Sequence, residues 1–319
     1  MSGLVAEVVA ETKVDAPAAA SASADVASKD ERLDAVAEEF NYRNRCRACR
    51  GKFWHEAFAP EQEAYASFAR HKLERIAALD PGGQRLLDIG SGFGDILYLL
   101  RDRYKELHGL DPSASMVAHA EANLRERGVR TPFALKQGLA ESLAYPSGHF
   151  DTIVTTDTYE HIDPAFRAAA LDEMFRVLRP GGTLILVTPS KSRLLFWAFV
   201  DNVLTLRRQR RAGNGVRVFS PTPKAYTEVF VGGRALRRAI RRAGFRVTRF
   251  ERTSFYPAPE RPGFLEPHMH RWATARPRRW RRVVALCRAA QRLGFLNQKM
   301  LVVAVRPSAD GDAGEGRAP

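Results

Sequence analysis

Apolar positions in this chain fall at two spacings. In "EQEAYASFARHKLERIAAL" (residues 61–79), Phe68, Leu73, Ile76 and Leu79 recur at helical intervals and predict an amphipathic helix, stopped by Asp80-Pro81-Gly82-Gly83. "RLLDIG" then reads as a short strand from Arg85 to Ile89, "GDILYLLRDRY" as a helix, and "ELHGLD" as a strand ending at Asp111. "SASMVAHAEANLRERG" is a helix with Ser113 or Ser115 at its cap, followed by strands in "TPFALKQG" and "FDTIVTTD". "PAFRAAALDEMFRVLRPGG" is a helix closed by Pro180-Gly181-Gly182, and "TLILVTP" a fifth strand. Short apolar strands alternating with helices predict an α/β fold, doubly wound around a mostly parallel sheet. Ligands in such sheets sit beyond the strands' carboxyl ends. The glycines after Ile89, Asp111 and the "TTDTYEHI" segment all lie at such ends, so they share one rim.

Beyond Pro189 the rhythm changes. "SRLLFWAFVDNVLTLRRQRR" joins a hydrophobic segment to a basic cluster, "GGRALRRAIRRAGFRVTRFER" is a basic helix, a turn and a strand, "RPRRWRRVVALCRAAQRLGF" is a second basic amphipathic helix, and "KMLVVAVRP" is a last strand. The expected organisation is a disordered tail (1–40), a helical cap (41–80), the alternating core (81–190), a basic and apolar lid insertion (191–230), the rest of the sheet with its basic helix (231–306) and a polar tail (307–319).

A chain of 319 residues that is 45% hydrophobic supports a large core, and it holds no uninterrupted apolar run long enough to span a bilayer. The first thirty residues lack the basic start of a secretion signal and the Arg-rich, acid-poor look of a transit peptide. Three cysteines point to a reducing compartment, hence a cytoplasmic location. The net charge of +14 hides an asymmetry: residues 1–190 hold 22 Lys/Arg against 28 Asp/Glu, whereas residues 191–319 hold 28 against 8. The second half should seek anions, although part of the excess belongs to solvated helix faces.

The glycines are spaced Gly90-x-Gly92-x-Gly94. The first permits a tight turn, the second lets a ligand lie on bare backbone, and the third lets the helix pack near the strand. The helix start offers free N–H groups to an anion. A dinucleotide fingerprint would place its third glycine at position 95, where this chain has Asp95, an acid that would repel a pyrophosphate. Asp111 ends the next strand, where a carboxylate accepts from both hydroxyls of a ribose. A ribose without a pyrophosphate means a nucleoside ligand; a purely structural glycine turn would explain the glycines but not Asp111.

"LLDIGSGFG", "LHGLDPSASM", "GLAESLAYPSGHFDTIVTTDTYEHI" and "FRVLRPGGTLILVTP", in this order, resemble the class I S-adenosylmethionine-dependent methyltransferases. Within them the branch of quinone-biosynthesis O-methyltransferases carries a similar "FD…EHI" segment. The resemblance implies a seven-stranded Rossmann-like sheet, closed by an antiparallel pair to which "GFRVTRF" and "KMLVVAV" are similar. It implies S-adenosyl-L-methionine as cofactor, with Gly90 and Gly92 beneath its methionine part, Asp88 organising the loop and Asp111 on the ribose. Ser91, Gly94, Pro112 and Thr156 would complete the cradle. Met116 would flank the adenine or serve as a buried helix methionine. The family often has an acid at Leu139; here adenine recognition would fall to backbone groups around Leu139 and Ala140.

Methyl transfer from a sulfonium is an in-line displacement that asks mainly for alignment and exclusion of water. A hydroxyl acceptor adds the need for a base. His161, just past the fourth strand, is the candidate, since imidazole titrates near working pH; it would otherwise only hydrogen-bond the loop. Glu160 and Asp157 would orient it, hold a divalent cation, or have ordinary partners. Cys46 and Cys49, with His55 as a third ligand, fall one short of a four-ligand zinc site unless His71 is recruited from a helix, so ordinary thiols and no metal are expected.

The basic half admits two compatible readings. "RLLFWAFVDNVLTL" would form a lid over the acceptor, or an interfacial helix with Leu194, Leu195, Phe196, Trp197 and Phe199 in lipid and Arg207, Arg208, Arg210 and Arg211 at anionic headgroups. The second basic helix repeats the pattern, with Val283, Leu286, Ala290 and Leu293 opposite Arg281, Arg288 and Arg292. A small, lipid-like acceptor and peripheral attachment at the inner membrane face follow. The rival is an RNA-modifying enzyme with these arginines on phosphates. Against it, "TTDTYEH" lacks the Asn/Asp-Pro-Pro-aromatic element of base amino-group methylation. A non-catalytic cofactor-binding subunit is the third reading.

Overall fold

The computed structural model describes residues 32–33, 72–190, 229, 231–253, 275–279, 281–282, 285 and 299–308. Cys46, Cys49, His55, His71, the apolar and basic segment of residues 191–228 and most of the helix expected at 276–295 lie outside them. Arg32 and Leu33 fall within the expected tail but are helical, and the Arg32 guanidinium bonds Glu141 and lies over the Phe166 ring.

Seven strands form one sheet: β1 (Arg85–Ile89), β2 (Glu106–Asp111), β3 (Phe133–Gln137), β4 (Phe150–Thr156), β5 (Leu178–Pro189), β6 (Arg246–Thr253) and β7 (Lys299–Val305). Their order is β3-β2-β1-β4-β5-β7-β6. The first five pair in parallel, and β7 runs antiparallel to both β5 and β6. This is the doubly wound, mostly parallel sheet with an antiparallel closing strand that the sequence predicts.

Side chains alternate between two apolar layers, as the pleat requires. Leu87, Ile89, Ile153, Leu184, Leu186, Met300 and Val302 face one cluster, with α3 (Arg167–Val177) and α4 (Gly233–Arg242) supplying Met174, Leu236 and Ile240. Leu86, Leu107, Val154, Ile185, Leu301 and Val303 face the other, against Ile76 of the helix at residues 72–79, α1 (Asp95–Leu100) and α2 (Ala114–Glu126). Each fully buried aliphatic side chain contributes about 1.5–3 kcal/mol of transfer free energy.

Two local readings resolve against the structure. Ser113 is the cap of α2, its side chain accepting from Met116 N. The helix expected to close at Pro180-Gly181-Gly182 ends at Val177 instead, and β5 begins at once with Leu178 paired to Phe150. The Pro-Gly-Gly sits in a register irregularity before Thr183 pairs with Thr152. A proline without an N–H is tolerated at such a bulge, so it marks the strand's interruption rather than the helix's end.

The strand order reverses between β1 and β4, which opens a crevice at their carboxyl ends. β7 runs the other way, so its first residue, Lys299, stands at this same rim opposite Pro189.

Candidate active site

On the β1–β2 side, Gly90 N and Ser91 N both donate to Leu110 O, at 2.7 and 3.0 Å, folding the chain back immediately after β1. Gly90 has φ 76°, and a Cβ there would stand 2.0 Å from Thr158 Oγ1. That hydroxyl donates to Ile89 O and Thr156 O, so the loops after β1 and β4 touch at a point with no room for a side chain. Gly92 differs: at φ 52°, a Cβ added to it would meet nothing within 4 Å. The first glycine is needed for close approach within the protein, and the second leaves bare backbone beside open space. Gly94 caps α1, and a Cβ there would touch Ala120 of α2 at 3.4 Å, so it faces that helix rather than the strand.

Asp111 is buried at the tip of β2. Oδ2 accepts from Gly92 N at 3.0 Å and Oδ1 from Ser113 N at 2.9 Å, which ties the carboxylate to the glycine bend. Burial raises its pKa to about 6 against the lowering effect of these two N–H groups. Each oxygen keeps lone-pair capacity for a further donor. Asp88 is buried below the bend with Oδ1 lacking a hydrogen-bond partner. Burial and the charges of Asp111 and Asp95 push it up to about 8, opposed by Lys72. Ser91 Oγ is also buried without a hydrogen bond. Orphaned acceptors, acids elevated by burial and an open backbone fit a nucleoside that carries hydroxyl donors and positive charge, which describes S-adenosylmethionine.

The other residues assigned to the cofactor from sequence lie around this bend or beneath it. Pro112 follows Asp111 directly, its carbonyl accepting from Gln137 Nε2. Leu139 and Ala140 are buried beyond β3, and Thr156 ends β4. Met116 is buried in the apolar layer with Ala120 and Leu124.

On the β4 side, Asp157 N donates to Val187 O at 2.8 Å and the residue adopts φ 55°, the only non-glycine with positive φ among the described residues. Its Oδ2 accepts from Lys72 Nζ at 3.0 Å and its Oδ1 from Lys299 Nζ. Burial lowers the pKa of Lys72, against the raising effects of Asp95, Glu160 and Asp88. Burial and then the Lys72 charge hold Lys299 well below the usual lysine range. Glu160 is buried and its Oε2 accepts from Thr188 Oγ1 at 2.9 Å. Its carbonyl accepts from Val229 N and Arg167 Nη2, which braces the loop. His161 closes this loop half-buried, its N donating to Thr158 O at 2.9 Å.

Neither lysine was picked out from the sequence. The signals were present. Lys72 stands four before Ile76 on the apolar stripe of its helix, and Lys299 opens a strand that is otherwise wholly apolar. A cation in such a place has a partner, but the partner's identity is set by tertiary structure.

A methyltransferase-domain family model matches residues 54–249. The demethylmenaquinone methyltransferase of Thermus thermophilus is 31% identical over 186 residues, covering 56% of this chain and 81% of that enzyme. The ubiquinone/menaquinone biosynthesis C-methyltransferase UbiE of Yersinia enterocolitica is 31% identical, and that of Shewanella frigidimarina 34%, over 40% and 37% of this chain. The chain spans only about half the length of these two, 53% and 47%. Among solved structures, the [4+2]-cyclase SpnF is 23% identical, over 77% of this chain and 82% of that one, at a TM-score of 0.49. An S-adenosylmethionine-dependent methyltransferase from Mesorhizobium loti is 19% identical, over 74% and 98%, also at 0.49. On the strength of the family model and the Thermus relative, the chain belongs to the methyltransferase-domain family and is an S-adenosylmethionine-dependent methyltransferase.

Proposed function

We propose that this enzyme methylates a small, lipid-like acceptor of the quinol class. The observation that carries this reading is the likeness to the Thermus demethylmenaquinone methyltransferase over most of that enzyme's length. The UbiE relatives are named as C-methyltransferases, whereas the sequence resemblance is to an oxygen-methylating branch. For a quinol the two share a first need. Ionising a ring hydroxyl activates both that oxygen and the adjacent ring carbon.

S-adenosylmethionine supplies an activated methyl group on a sulfonium. In this reading Asp111 holds the ribose hydroxyls, the backbone at Gly90 and Gly92 lies under the methionine part, and Asp88 and Ser91 complete the bend. Backbone groups around Leu139 and Ala140 meet the adenine. The acceptor enters from the β4 side, by Asp157, Glu160 and His161, and His161 is the sequence-derived candidate for its proton.

Attachment to an anionic membrane surface is supported by the charge of the far edge. Arg234, Arg238, Arg241 and Arg242 of α4 are exposed, as are Arg246 and Arg252 of the edge strand β6 and Arg276, Arg278, Arg279, Arg281 and Arg282. No helix among the described residues is long and apolar enough to cross a membrane. RNA remains the second reading, since Val229 is the only large apolar side chain exposed among the described residues and arginines alone also suit phosphates.

The test is methyl transfer from methyl-labelled S-adenosylmethionine to dithionite-reduced demethylmenaquinone in anionic liposomes, alongside total cellular RNA. Label extracted with the quinone, and liposome binding weakened by salt, support the proposal. Label confined to RNA overturns it.

A further inference from the structure

The ion cluster on the β4 side is more than a brace. Three elements remote in sequence meet there: the helix at residues 72–79, the turn after β4, and the first residue of β7. They place two ammonium groups on the two oxygens of one carboxylate. The carboxylate belongs to a residue in the left-handed region, where a non-glycine backbone is disfavoured, and its N–H is fixed to β5. Asp157 is thus held, at some conformational cost, between the two lysines at the rim.

We propose that Lys299 is the general base of this enzyme: its Nζ takes the proton from the acceptor's hydroxyl, with Asp157 holding the side chain in position. The assignment rests on the methyltransferase reading with a protic acceptor. In the step, the acceptor's O–H bond breaks, the proton goes to the Nζ lone pair, and the electron pair stays on the acceptor oxygen. That ionised acceptor is the nucleophile methyl transfer requires. The ammonium later returns its proton to solvent.

Geometry separates the two lysines. Lys72 faces Asp157 and feels Asp95, Glu160 and Asp88, three further acids that favour its ammonium form. Lys299 faces Asp157 and the Lys72 ammonium from a more buried position, its side chain 4% exposed against 16% for Lys72. Of two adjacent ammonium groups, the deeper one beside its like charge gives up its proton first. A buried lysine whose pKa is held below the ordinary range by burial and a neighbouring ammonium can serve as a base. Of the carboxylates expected to orient His161, Asp157 accepts from both lysines and Glu160 accepts from Thr188.

The experiment is an NMR titration of the full chain with carbon-13-labelled lysine, which holds only nine lysines. Loss of one resonance in Lys299→Arg assigns Lys299. It should titrate well below the ordinary lysine range, rise in Lys72→Met, where the like charge is gone, and fall in Asp157→Asn. A Lys299 resonance in the ordinary range, or one indifferent to Lys72→Met, overturns the proposal even where no acceptor is turned over. With reduced demethylmenaquinone, Lys299→Arg should keep S-adenosylmethionine affinity within about twofold yet lose turnover by at least about a hundredfold, because arginine keeps the ion pair but does not deprotonate. A purely structural ion pair would be preserved in that variant, so wild-type turnover would also overturn the assignment. A larger loss of turnover in His161→Ala than in Lys299→Arg would return the base to His161 and overturn the proposal.

Discussion

The two sides of the crevice are built in opposite ways. The β1–β2 side is made from one continuous stretch, Asp88 to Ser113, and its bend is held by backbone N–H groups on the Asp111 carboxylate and the Leu110 carbonyl. The β4 side draws on Lys72, Asp157 and Lys299, which meet only once the sheet has closed. The first side carries acids that burial has pushed up, and the second carries cations that burial has pushed down. On the proposed reading, a local turn holds the ligand shared by the whole family, whereas the partner that varies is met by groups assembled over long range.

The hardest blow to the local side is Gly90→Ala. The new methyl would have to displace Thr158 from 2.0 Å while the residue keeps φ 76°, so the contact between the two loops breaks. The left-handed backbone alone costs about 1–2 kcal/mol, and the clash adds to it. The variant should melt several degrees lower and bind no measurable S-adenosylmethionine by calorimetry. Gly92→Ala is its counterpart. Its methyl would meet no protein atom, so that variant should fold with a loss limited to about 1–2 kcal/mol of backbone strain, yet bind the cofactor about tenfold less tightly. Equal melting temperatures for the two would mean that the crowding at Gly90 does not constrain the bend.

Asp111→Ala comes next. It removes the carboxylate proposed to hold the ribose and releases the N–H groups of Gly92 and Ser113 together. Cofactor affinity should fall by at least about tenfold, or about 1.4 kcal/mol, with folding retained. Unchanged calorimetric binding would place the ribose elsewhere.

These residues were legible because their chemistry is local. Turn glycines, the Ser113 cap and an acid at a strand tip are each dictated by neighbours within a few residues. Strand limits were equally readable: β1 and β2 match the expected Arg85–Ile89 and the expected end at Asp111, since each is a run buried on both faces. Asp157 was visible as an acid in the right loop, but its role depends on lysines 85 and 142 residues away. No periodicity reports that distance. The Pro-Gly-Gly after α3 misled for a related reason: its breaker chemistry is real, yet pairing with Phe150 extends β5 through it.

The smallest effect separates the two acids of the local side. Asp88 holds a proton up to about pH 8 in the fold, against an ordinary 3.8, mainly because it is buried and then because Asp111 and Asp95 surround it. The native state therefore binds more protons than the unfolded chain above about pH 4, and this contribution to stability is lost as pH rises through about 8. Asp111, at about 6, has the same sign but is spent lower, and His108, lowered by burial from 6.5, acts with the opposite sign only in acid. Lys299, lowered by burial and then by the Lys72 charge, acts with the sign opposite to Asp88, because its native state holds fewer protons than the unfolded chain. The difference between wild type and Asp88→Asn reports Asp88 together with its coupling to Asp111, Asp95 and Lys72, while uncoupled groups such as His108 drop out. Between pH 6.5 and 8, ligand-free wild type should lose stability relative to Asp88→Asn, by no more than about 1.4 kcal/mol per pH unit, the limit for one proton. Denaturant midpoints across that range measure the gap. Curves that stay parallel would mean Asp88 is already ionised at neutral pH, and the charge contrast between the two sides of the crevice would lose its deepest member.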